Sequence, residues 1–247
     1  MTTALPLQLQ SIMTSIVRNL QGVRDRITTA CIASVRPPSD VRLLAVSKTF
    51  GAEAVLEAVG DGQRLFGENY ITEAVEKIAR VQALLPAGVK LEWHCIGPVQ
   101  SNKTRLVAEH FDWVQSIDRL KIAERLNAQR PAHLPPLQVC IQVNIDGGAN
   151  KAGVTPDALG ALADSLGQLP RLKLRGIMAI PEPAPDFIAA CALFERAKVL
   201  FDALNESGKL AQPLDTLSLG MTADLEAAIQ AGSTMVRVGS AIFGTRG

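Results

Sequence analysis

Apolar residues near the N-terminus return at steps of three and four. Leu9, Ile12, Ile16, Leu20, Val23 and Ile27 share one helical face, and Arg18, Arg24 and Arg26 lie off it. The run Arg36-Pro37-Pro38-Ser39-Asp40 ends that pattern. Beyond it, short β-rich apolar runs alternate with helical stretches. The runs cover 43–47, 64–67, 91–96, 113–117, 137–145, 172–180, 216–219 and 235–238; the helical stretches cover 52–59, 71–85, 101–109, 119–129, 156–168, 186–207 and 223–231. The apolar runs are mostly continuous rather than alternating, which suits parallel strands covered on both faces. Eight strands, seven intervening helices and a leading helix predict an α/β fold. The arrangement expected is a single (β/α)8 TIM barrel with an extra N-terminal helix over 1–35, and an open doubly wound sheet is its rival. No internal repeat or low-complexity linker divides the chain, so one domain over 1–247 is expected.

Composition narrows the function classes. The chain has 247 residues, 47% hydrophobic and 20% charged, so it has core material that a disordered chain lacks. Its 25 basic and 24 acidic residues leave a formal net charge of +1 without a run of like charges, which argues against a nucleic-acid surface. No apolar stretch reaches the roughly 18 residues of a membrane span, and no basic segment precedes an apolar one at the N-terminus. A cytoplasmic location is expected. Cys31, Cys95, Cys140 and Cys191 are scattered with no CxxC pair, which reads as buried, reduced thiols. His94, His110 and His133 have no ligand spacing, so no metal is expected; His94 is assigned to the barrel mouth and the other two to the surface.

In such barrels the functional side chains gather where strands end and loops begin. Lys48 follows the buried run Leu43-Leu44-Ala45-Val46. A lysine with its stem in apolar surroundings loses some of its preference for the charged form, and a free amine condenses with an aldehyde. The plainer alternative is a lysine snorkelling to solvent. Thr222 falls at the predicted start of the helix over 223–231, and Gly239-Ser240 follows the last strand. Together they form a candidate phosphate seat. Asp224 would repel a phosphate if it pointed inward, and is assigned to solvent and the helix N-terminus. Arg237 sits inside the apolar run Met235-Val236-Arg237-Val238, so it needs either an internal ion-pair partner or a ligand.

The motifs that carry these residues occur together. Ala45-Val46-Ser47-Lys48-Thr49, Phe66-Gly67-Glu68-Asn69-Tyr70 and Trp93-His94-Cys95-Ile96-Gly97-Pro98-Val99-Gln100-Ser101-Asn102-Lys103 are followed by Leu174-Arg175-Gly176-Ile177-Met178-Ala179-Ile180-Pro181. Leu217-Ser218-Leu219-Gly220-Met221-Thr222 and the run from Gly232 to Gly244 complete the set. This set closely resembles the YggS/PROSC family of pyridoxal phosphate (PLP) homeostasis proteins, from about Leu43 to Arg246. The resemblance implies a fold-type III PLP-binding barrel, similar to the N-terminal domain of bacterial alanine racemase. It implies that Lys48 carries PLP as a Schiff base and that Asn69 lies beside the ring. It further implies that Arg237 faces the pyridine nitrogen, that Thr222, Gly239 and Ser240 hold the phosphate, and that Met221 also belongs to the cofactor site.

Phe50-Gly51, Asp146-Gly147-Gly148-Ala149 and Ala223 depart from the family pattern, away from the cofactor positions. An arginine at the ring nitrogen weakens PLP as an electron sink. In the racemases resembled, a tyrosine from the partner's C-terminal domain supplies a second acid/base; this chain has one tyrosine, Tyr70, beside Asn69. The expected function is therefore reversible PLP binding for intracellular homeostasis, with delivery to apo PLP enzymes, no catalytic residue and a monomeric state. A low-activity amino-acid racemase and an unrelated sugar-phosphate barrel enzyme are the alternatives. Lys103 and Lys151 are candidates for a transient second PLP contact.

Overall fold

The computed structural model describes residues 7–148 and 152–244, with side chains from Ser15 onward; Lys151 lies outside the described residues. Eight strands alternate with helices along the chain. They are β1 (Arg42–Val46), β2 (Leu65–Glu68), β3 (Glu92–Cys95), β4 (Trp113–Ile117), β5 (Leu137–Gln142), β6 (Leu172–Met178), β7 (Thr216–Ser218) and β8 (Met235–Val238). The helices are α1 (Leu7–Ala33), α2 (Ala52–Gly60), α3 (Ile71–Leu84), α4 (Thr104–His110), α5 (Leu120–Gln129), α6 (Pro156–Leu166), α7 (Phe187–Glu206), α8 (Leu225–Gln230) and α9 (Ser240–Phe243).

The strands close into a barrel in chain order, and every pairing is parallel. Pairing of β1 with β8, which sets Leu43 beside Val236 and Leu44 beside Arg237, rules out the open sheet. Most apolar residues pack between strands and helices, each fully buried large side chain contributing about 1.5–3 kcal/mol. Two smaller groups fill the barrel itself: Leu44, Val46, Ile96 and Met235 on one side, Trp113, Cys140 and Met178 on the other. At the N-terminal floor Arg42 and Arg175 lie over the Trp113 ring, 5.7 and 4.8 Å from its centroid. Arg42 pairs there with Glu92, and Arg175 with Asp215.

Several strands stop short of their apolar runs. Val143 leaves β5 to bridge Val154, and Asn144 turns the chain by bonding the Gly147 N–H and the Gly148 carbonyl. The helix expected over 223–231 begins later, at Leu225, because Asp224 folds back and accepts the Met221 N–H at 2.6 Å. Thr222 therefore lies in the preceding turn rather than at the helix start. The stretch 101–109 divides into a 3₁₀ turn, Ser101–Lys103, and α4. The α9 turn was not expected; four residues carry too little periodicity. On α1 the predicted stripe is buried at Ile16, Leu20, Val23 and Ile27. This helix packs on α2, α8 and α9.

Candidate functional site

Register brings the predicted residues to one end of the barrel. Val46 pairs with Gly67, and Gly67 with His94, so Lys48, Asn69 and Gly97 leave their strands at the same rim. Val238 pairs with Ala45 and sets Gly239-Ser240 next to them. The Arg237 N–H donates to the Gly220 carbonyl at 3.0 Å, which adds Met221 and Thr222. Gly220 has φ +87°, and a Cβ there would lie 2.5 Å from the Ala228 Cβ, so this turn requires glycine.

Lys48 stands exposed beyond the last ladder bond of β1, not with its stem in the apolar setting expected for it. What is buried is its support. The Ser47 hydroxyl donates to Glu68 Oε1 at 2.6 Å, and Lys77 Nζ donates to the same oxygen and to the Ser47 carbonyl, both at 2.8 Å. Burial pushes the Glu68 carboxyl up, against the pull of Lys77 and Ser47. On the other side, Thr49 takes φ +70°, a left-handed conformation that costs a non-glycine residue about 1–2 kcal/mol. Its N–H donates to Glu73 Oε1 at 3.1 Å. Lys77 belongs to none of the motifs that mark the site. Its spacing was the available signal, since it falls on the buried stripe Ile71, Ala74 and Val81 of α3.

Asn69 is half-buried, and its Oδ1 is buried with no partner among the described residues. Gly97 lies against it: a Cβ on Gly97 would come 2.4 Å from the Asn69 carbonyl oxygen. Arg237 is buried, and neutral oxygens hold it. Its Nη1 donates to the Ser218 carbonyl and hydroxyl, both at 2.7 Å, and its Nη2 to the Ala179 carbonyl at 2.9 Å. The internal ion pair considered for it is thus not what holds this charge. Burial lowers its pKa to about 10, which leaves it a cation at neutral pH.

Thr222 and Ser240 place their hydroxyl oxygens 3.3 Å apart. Gly239 runs close to β1, where an added Cβ would lie 3.1 Å from the Val46 carbonyl oxygen. Met221 is exposed, its N–H held by Asp224. The N-terminal helix secures this side: Arg26 bonds Glu226 through two nitrogens and the Thr222 carbonyl at 2.9 Å, and Asn19 bonds the Ile242 carbonyl at 3.0 Å. Phe50, one of the family departures, packs on Phe243 with ring centroids 5.3 Å apart.

The sequence matches the family described as alanine racemase, N-terminal domain, over residues 19–247. It is 54% identical over 235 residues to the pyridoxal phosphate homeostasis protein of Escherichia coli K12, covering 95% of this chain and 98% of that one. The protein of the same name from Pseudomonas aeruginosa is 54% identical over 95% of this chain and 97% of its own. This chain belongs to the pyridoxal phosphate homeostasis protein family. Among solved structures, PipY of Synechococcus elongatus with PLP bound is 37% identical, covering 93% of this chain and all of that one, with a TM-score of 0.79. Alanine racemase from Corynebacterium glutamicum, 16% identical with a TM-score of 0.64 over 95% of this chain and 62% of its own, shares the fold.

His94 is fully buried in the barrel, not at its mouth, because strand alternation reports facing and not depth. His110 and His133 are exposed. Tyr70 is exposed at the rim, and Lys103 Nζ donates to Thr72 Oγ1 at 3.0 Å. All four cysteines are buried and free, and burial pushes the Cys95 and Cys140 thiols up to about 12. Among the described residues no helix is long and apolar enough to cross a membrane.

Proposed function

We propose that this protein binds PLP at the barrel mouth and serves PLP homeostasis, holding the free aldehyde reversibly and releasing it to apo-enzymes rather than catalysing a reaction. Its relatives carry the name pyridoxal phosphate homeostasis protein, and PipY has been solved with PLP bound. The observation that carries the reading within this chain is Arg237, a buried cation whose hydrogen-bond partners are all neutral, on the strand paired with the one that leads to Lys48. The residues fit the cofactor in two further ways. Asn69 presents a buried oxygen without a partner among the described residues, and the paired hydroxyls of Thr222 and Ser240 offer donors for a phosphate.

PLP supplies an aldehyde that amines capture reversibly, and a ring whose electron demand depends on its nitrogen. In this reading Lys48 provides the amine, while Ser47 and Thr49 fix its backbone from both sides. Arg237 donates to the ring nitrogen and accepts no proton from it, which keeps the nitrogen unprotonated and the electron sink weak. Thr222, Ser240 and the Gly239 backbone secure the phosphate, with Met221 alongside. The described side chains at the rim include one tyrosine, Tyr70, which is exposed. A cytoplasmic monomer completes the proposal.

Titrating apo protein with PLP and with phosphate-free pyridoxal, followed by absorbance, tests the reading. Saturable PLP uptake, weak pyridoxal uptake and no α-proton exchange of alanine in deuterated water are the expected results. Sustained exchange would replace the homeostasis reading with a racemase.

A further inference from the structure

A chain of side-chain hydrogen bonds runs up the inside of the barrel from Glu92 at the floor to Arg237. Glu92 Oε1 lies 2.9 Å from His94 Nε2, and His94 Nδ1 lies 2.9 Å from Gln115 Nε2. Gln115 Oε1 accepts from the Ser218 hydroxyl at 2.7 Å, and Ser218 Oγ accepts from Arg237 Nη1 at 2.7 Å. His94, Gln115, Ser218 and Arg237 are all buried. His94 also stacks on Trp113, with centroids 4.9 Å apart and planes 12° apart.

Chemistry at the floor and at Met235 settles the direction of every bond in this chain. Arg42 pairs with Glu92, and that pairing keeps the carboxylate an acceptor. The nitrogen of His94 facing Glu92 must therefore carry the proton. The thioether of Met235, 3.1 Å from Gln115 Nε2, can only accept, which turns the Gln115 amide nitrogen toward His94 Nδ1 and requires that nitrogen to be bare, and burial favours the same neutral ring. Gln115 then has only its oxygen for Ser218, so the serine hydroxyl is committed as a donor. The lone pairs of Ser218 are thereby left for Arg237. The reverse amide orientation would place a bare imidazole nitrogen against the carboxylate.

We infer that Glu92, His94, Gln115 and Ser218 form a polarised relay that orients the Arg237 guanidinium toward the barrel mouth. They are positioning residues for the ring-nitrogen contact. This inference rests on the PLP reading above for the ligand that Arg237 meets, while the relay's own polarity is independent of any ligand.

The test uses the full chain, wild type and three variants: Ser218→Ala, Ser218→Thr and Glu92→Gln. Glu92 does not touch Arg237, so a response at the mouth to Glu92→Gln reports transmission and not lost contact. In wild-type apo protein, nitrogen NMR of His94 should show a bare Nδ1 and a protonated Nε2. Ser218→Ala should weaken PLP binding about tenfold and shift the absorbance of bound PLP, with borohydride still trapping it on Lys48. Ser218→Thr should restore both, and Glu92→Gln should move both in the same direction as Ser218→Ala. Thermal melts of the apo proteins establish that each variant is folded. Folded Ser218→Ala and Glu92→Gln proteins with wild-type PLP affinity and spectrum would overturn the relay, as would a protonated Nδ1 on His94. A wild type that takes up no PLP while His94 shows the assigned tautomer would overturn the PLP reading instead.

Discussion

Lys77 Nζ lies 2.8 Å from Glu68 Oε1, a pair closed off from solvent directly behind the strand tip that presents Lys48. The same ammonium bonds the Ser47 carbonyl, so one buried cation fixes both the carboxylate and the backbone preceding Lys48. A buried pair adds little net stability, but removing one member strands the other. Lys77→Met should destabilise the fold by about 3–5 kcal/mol in urea unfolding. The double variant Lys77→Met/Glu68→Leu should recover most of that loss. Recovered stability without recovered PLP affinity would identify the pair as a support for Lys48 rather than for the barrel.

Gly97→Ala should cost about 1–3 kcal/mol, since its Cβ would meet the Asn69 backbone and not a movable side chain. PLP affinity should fall further than stability predicts, because Asn69 is the residue displaced. Chemical denaturation and PLP titration of the same preparation measure the two losses.

Thr222→Val and Ser240→Ala should each weaken PLP binding about tenfold. Phosphate-free pyridoxal should bind the variants as it binds the wild type. With their hydroxyls 3.3 Å apart, the two changes should not add, and a double-mutant cycle reads that coupling.

Glu57 on α2 has a buried Oε1 without a partner among the described residues, and burial, against a backbone hydrogen bond from Val17, pushes its carboxyl from 4.5 up to about 7. Between those values the folded state holds a proton that the unfolded state has released. The stabilising contribution is therefore full below about pH 4.5 and is lost as pH rises through about 7. Glu57→Gln should flatten this slope and raise stability at pH 8 by roughly 1 kcal/mol, allowing for solvent screening of a half-exposed group. Denaturant midpoints of both proteins at pH 5 and pH 8 measure it.

The barrel was legible because continuous apolar runs mark strands covered on both faces, and all eight appear in the structure. Their ends were less so. Val143, Ile145 and Ala179 are apolar and buried like the strand residues before them, and only the turn at Asn144 and the Arg237 bond to the Ala179 carbonyl show where strand gives way to loop. Arg237 was found by its charge in an apolar run, but its neutral partners lie 19 and 58 residues away and have no local signature. The inward-facing polar residues Gln115 and Ser218 went unremarked, because alternation does not reveal which strands face each other across a barrel. Arg26 was assigned off the buried stripe of α1, and that position is what lets it reach the Thr222 turn.

In the proposed function PLP is held covalently and reversibly through Lys48. Borohydride reduction of the PLP-loaded protein, followed by peptide mapping, tests it most directly. A pyridoxyl label on Lys48 is expected, with loss of label and absorbance band in Lys48→Ala. A folded Lys48→Ala protein that keeps the band, with the label on Lys103 or another lysine, would contradict it.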